Sequence, residues 1–132
     1  MSTVRVSPFL HLALLVDAAI SGATALLMTF AAGPLAQLTR LPEALLLWVG
    51  LALLPYVAIV AWMGRRETLP RAGVWAVIAC NAVYAIDCVW LLASGNVAPN
   101  WIGQAFVVVQ AVAVGVFAEL QFTALRRAVV PA

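Results

Sequence analysis

Lysine is absent from this chain, histidine occurs once, and only 9% of the 132 residues are charged. A soluble domain carries about a quarter charged residues. So little charge cannot coat a water-facing surface, and a soluble globular domain is excluded. The formal net charge is +2 and no basic stripe is present, which argues against nucleic acid as a partner. There is no CxxC and no histidine-rich spacing, so a metal cluster has no support. Cys80 and Cys88 fall on one predicted helix, about 12 Å apart in rise, too far for an intrachain disulfide. No phosphate-binding glycine loop and no nucleophile–base pair occurs, so the chain is not read as an enzyme.

What the chain has is apolar sequence. Hydrophobic residues make up 66%, and the mean hydropathy is +1.09. Prolines and glycines divide it. Pro8, Pro42, Pro70 and Pro99 each open an apolar run, and Gly33, Gly64 and Gly95 close the first three. Proline is tolerated at the first helical position and glycine is favoured just past the last. The runs predict spans near 9–32, 43–63, 71–93 and 100–125, each long enough to cross about 30 Å of hydrocarbon. The expected fold is therefore all-α, a polytopic membrane protein with one up-down bundle of four transmembrane helices. Its surroundings are the lipid bilayer. A homo-oligomer or a place in a larger membrane complex is expected, because four short helices leave little room for a solvated path.

Polar residues inside the spans carry the functional question. In the third span, Cys80, Asn81, Tyr84, Asp87 and Cys88 fall within an arc of about 120° on a helix. That stripe is expected to face protein or a wet cavity, since an unsatisfied polar group in lipid costs several kcal/mol. In the first span, Asp17, Ser21, Thr24 and Met28 lie within about 60°. Beside them run Ala18, Gly22, Ala25 and Thr29, small residues that suit a close helix seam. The second span has no acidic or basic residue inside it but holds Pro55, which should kink it or open a carbonyl one turn back. Trp48 and Trp62 sit toward its two ends, where aromatic belts lie. The turn Ser94–Pro99 is short and uncharged, so the third and fourth spans should form an antiparallel pair. On the fourth span, Gln104, Ala111, Gly115 and Glu119 share one face. Gly103, Gln110, Phe117 and Gln121 share another, about 100° away.

Arginine sets the expected orientation. Arg5, Arg65, Arg66, Arg71, Arg126 and Arg127 fall on one side of the four spans, and Arg40 on the other. Both termini are then cytoplasmic, in a bacterial inner membrane. Counting rise from the span ends puts Asp17 about 13 Å deep and Glu119 about 9 Å deep in the inner half, with Asp87 about 9 Å deep in the outer half. Two acidic layers are expected: Asp17 with Glu119 and His11 inside, and Asp87 with Tyr84 outside. Each mid-membrane carboxylate costs roughly 2.5–3.5 kcal/mol, and burial and like charge both favour the protonated form. These are candidate proton or cation sites, with Asn81, Gln104 and Ser21 orienting a ligand. The competing reading is interhelical hydrogen bonding, with Arg126 reaching toward Glu119. His11 as a haem ligand fits poorly, since a bundle site uses histidine near mid-helix. No cofactor is expected.

Two resemblances bear on this reading. Four short helices with an acid in the first look architecturally like the small multidrug resistance transporters. That family carries Glu in a recognisable motif where this chain has Asp17, in Leu15-Val16-Asp17-Ala18-Ala19. Over nearly its whole length the chain resembles small, functionally uncharacterised bacterial four-helix integral membrane proteins. The residues carrying this are Val16-Asp17-Ala18-Ala19-Ile20-Ser21-Gly22 and the run from Gln110 through Glu119 to Gln121. It implies the four-helix fold and assigns no catalytic residue. The function expected is binding or translocation of a proton, cation or small solute through membrane-embedded carboxylates. The alternatives are an assembly or accessory subunit, and a haem or quinone redox carrier.

Overall fold

A computed structural model describes residues 2–128. Strand β1 (Thr3–Arg5) leads into α1 (Pro8–Phe30), α2 (Ala32–Thr39) and α3 (Glu43–Met63). Strand β2 (Thr68–Pro70) then precedes α4 (Arg71–Ser94) and α5 (Trp101–Arg126). The four long helices, α1, α3, α4 and α5, are each long and apolar enough to cross a membrane. The fold is an all-α four-helix membrane bundle.

Local chemistry sets the helix ends. Ser7 caps α1, its Oγ accepting from Leu10 N at 3.1 Å, with Pro8 at the first helical position. Asn100 caps α5 through Oδ1, which accepts from Gly103 N at 2.9 Å. Gly95 ends α4 at φ 77°, a left-handed conformation that costs glycine no steric strain.

The first span departs from the sequence expectation. It stops at Phe30, and Gly33 lies inside a separate short helix, α2, instead of closing α1. The cause is Pro34. In a continuous helix its ring would meet the Phe30 carbonyl, four residues back. Breaking at Ala31 moves Pro34 into the first turn of α2, where a missing N–H is no loss. Thr39 Oγ1 then donates to the Leu35 carbonyl at 2.7 Å, and Arg40 turns the chain out at φ 59°.

The second departure is a two-stranded antiparallel sheet. Val4 faces Leu69, with Thr3 opposite Pro70 and Arg5 opposite Thr68. Val4 and Leu69 are fully buried against the helix ends. Three residues per strand are too few for alternation to be read from sequence. The sheet ties the N-terminal segment to the α3–α4 connection.

The helices pack as two close pairs, α1 with α3 and α4 with α5, and α1 also contacts α5. The small-residue stripe of α1 is the α1–α3 seam. A Cβ on Gly50 would stand 2.8 Å from Thr29 N, and one on Gly22 would stand 3.2 Å from Val57. Two apolar clusters close the bundle. At the arginine-rich end, Leu10, Leu14, Val60, Val74 and Leu125 pack under Val4 and Leu69. At the α2 end, Met28, Leu35, Leu46, Cys88 and Val107 pack together. Helices α3 and α4 do not pack closely along their length. Between the clusters they leave a lateral gap.

Candidate functional site

Asp17 lies at the centre of the bundle and is 0% exposed. Leu10 and Leu14, on the same face of α1, direct it inward. Four donors converge on it. Ser21 Oγ donates to Oδ1 at 2.8 Å. Oδ2 accepts from Tyr56 Oη at 2.8 Å, Asn81 Nδ2 at 2.9 Å and Gln121 Nε2 at 2.8 Å. Asn81 Nδ2 also donates to Gln121 Oε1 at 3.0 Å. One carboxyl thus accepts from all four long helices. A carboxylate is an acceptor on both oxygens, and this shell offers it only hydrogens. It also fixes the amides. Asn81 and Gln121 have to turn N–H toward Asp17, and the Gln121 oxygen is left to receive the second N–H of Asn81.

Above this cluster lies a cleft of about 660 Å³, lined from α1, α3, α4 and α5. Ser21, Tyr56 and Asn81 form its floor, and Tyr84, Asp87 and Trp90 line it further along α4. Most of the remaining lining is Leu, Val, Phe and Met. Exposed lining residues occur on all four helices, Ile20, Ala52, Cys80, Asp87 and Val109 among them, and the lateral opening lies between α3 and α4, which do not pack closely on each other. Tyr84 Oη donates to Gln110 Oε1 at 2.6 Å, and Gln110 Nε2 donates to the Phe106 carbonyl at 3.3 Å. The size and the few polar groups on apolar walls are those of a small-molecule site.

The inner acidic layer does not form. Glu119 is exposed, because Gln121 takes the inward direction of α5 and a residue two positions away points about 160° from it. His11 is exposed in the first turn of α1, about 100° off the Leu10 direction. Neither joins Asp17. In the other half, the partner of Tyr84 is Gln110, and Asp87 is exposed at the cleft. Gln104 is exposed, 3.5 Å from the Pro99 carbonyl and away from the cluster. Arg126 lies over the Phe122 ring at 5.7 Å.

Of the residues singled out from sequence, Asp17, Ser21 and Asn81 come together. Tyr56 and Gln121 complete the cluster and were not proposed as site residues. Gln121 had a signal, its place on a polar face of the fourth span. Tyr56 had a weaker one, a phenol just after Pro55 in an otherwise apolar helix. Among the described residues no group of three His, Cys, Asp or Glu could hold a metal ion. No family model, curated protein or solved structure matches the chain.

Proposed function

We propose that this membrane protein binds a small, largely apolar solute in the cleft between α3 and α4. The observation that carries the reading is a cleft of about 660 Å³ whose floor is held by a fully partnered buried carboxylate. A rigid polar floor under apolar walls orients a ligand without a mobile ionic group. In this reading Asp17 is a positioning residue. It aims Ser21, Tyr56 and Asn81 and does not itself line the cleft. The bacterial inner membrane is the proposed location, with the arginine-rich end in the cytoplasm. Arg5 beside Thr68, together with Arg65, Arg66 and Arg71, supports that orientation.

A second reading has its own support. A single residue accepting from four helices fixes helix register, which suits an assembly or accessory subunit. Native mass spectrometry of protein released from nanodiscs separates the two. Solute binding predicts an adduct on the wild-type mass that is lost in Ala113→Trp, where the new ring fills the cleft. Bare protein in both samples overturns solute binding.

A further inference from the structure

Most of the polar side chains that line the cleft offer it acceptors. Ser21 and Tyr56 have one hydroxyl hydrogen each, and both are directed at Asp17. The Asn81 amide has two, directed at Asp17 and Gln121. Thr24 donates to the Ile20 carbonyl, and Tyr84 to Gln110. Five polar side chains of the lining therefore turn only oxygen lone pairs toward the cleft. Asn81 is the clearest case. It is 2% exposed, and among the described residues no donor reaches its Oδ1. The sealed polar side-chain atom without a partner there is Thr29 Oγ1, so Asn81 Oδ1 is open to the cleft. Asp87 adds a carboxyl at the opening. Against these acceptors stand one N–H of Gln110, the indole N–H of Trp90 and the weak thiol donors of Cys80 and Cys88.

A buried acceptor without a donor is costly, and the group that completes it is an O–H or N–H. Access is from the side. Apolar clusters close both ends of the bundle, and the gap lies between α3 and α4. We propose that the cleft takes a bilayer-dissolved amphipath whose head is a hydrogen-bond donor, a hydroxyl or an amine N–H, and whose tail leaves through the α3–α4 gap. The head meets Asn81 Oδ1, with Ser21 Oγ and Tyr56 Oη beside it. The proposal deepens the solute-binding reading and rests on it.

The test uses the full chain in phosphatidylcholine nanodiscs. The probes are 11-bromo-1-undecanol and its methyl ether, compared at equal mole fraction in the bilayer. Bromine quenching of Trp90, which lines the cleft, reads occupancy as the difference from Trp90→Phe. The alcohol is expected to half-saturate at about a tenfold lower mole fraction than the ether, the worth of one hydrogen bond. Ala52→Phe, at the opening and outside the polar cluster, is expected to abolish saturable quenching by both. Equal half-saturation, blocked by Ala52→Phe, overturns the donor-head inference and leaves solute binding standing. Saturable quenching that persists in Ala52→Phe overturns lateral entry. No saturable quenching by either probe overturns both the inference and the reading beneath it.

Discussion

Asn81 donates to Asp17 across 64 residues of sequence, 2.9 Å from Nδ2 to Oδ2. That bond joins the middle of α4 to the middle of α1, two helices that do not pack closely on each other. It also turns the Asn81 oxygen toward the cleft. The same contact therefore holds the bundle and sets the character of its cavity.

Replacing Asp17 should show the structural half of this. Asp17→Asn puts an amide N–H₂ where the carboxyl accepts from four donors. With the new amide oxygen in the place of Oδ2, its N–H₂ faces Ser21 Oγ, which has to give up donating and accept instead. The expected loss is about 3 kcal/mol, seen as a lower unfolding midpoint in detergent. A midpoint equal to wild type would contradict the described cluster.

Glu119 should behave oppositely. It is exposed on the far side of α5 from Gln121. Glu119→Gln removes no contact of the cluster and is expected to leave the unfolding midpoint at or above wild type, since a carboxyl facing lipid about 9 Å deep costs more than an amide. Thermal unfolding of the two proteins side by side checks this. A large loss would place Glu119 inside the bundle.

Two glycines on α5 separate packing from propensity. A Cβ on Gly103 would collide with the Thr39 carbonyl oxygen, where α2 meets the start of α5. On Gly115 nothing stands within 4 Å of an added Cβ. Gly103→Ala should cost about 1–3 kcal/mol through overpacking. Gly115→Ala should be neutral or gain up to about 1 kcal/mol from helix propensity. Unfolding midpoints that move the same way would contradict this packing.

The short sheet is tested by cross-linking. Arg5 and Thr68 are directly opposed and exposed. In a background with Cys80 and Cys88 replaced by alanine, Arg5→Cys with Thr68→Cys should oxidise to an intrachain disulfide in the folded protein. Gel mobility before and after reduction reads it. Failure to cross-link while the protein stays folded would remove the sheet.

The helices were legible because each is an apolar run punctuated by proline and glycine. The α1–α3 seam was legible too, since Ala18, Gly22, Ala25 and Thr29 recur at helical spacing. The break at Ala31 was missed because Gly33 looked like an end while Pro34 decided it. The sheet was missed because strands of three residues give no periodic signal. For the site, helical spacing placed Asp17 beside Ser21, and Asn81 on a polar stripe. It could not say which way α5 turns. Gln121 and Glu119 are two residues apart, and burying one exposes the other. The amide took the inward place, since it both donates to Asp17 and accepts from Asn81.

The central claim is that one carboxyl joins the four helices by accepting hydrogen bonds. A double-mutant cycle on Asp17→Ala and Tyr56→Phe tests it most directly, because Asp17→Ala removes the acceptor and Tyr56→Phe removes only the hydroxyl. Unfolding free energies of the wild type, both single variants and the double variant should give a coupling of about 1–2 kcal/mol. Costs that simply add, to within about 0.5 kcal/mol, would contradict it.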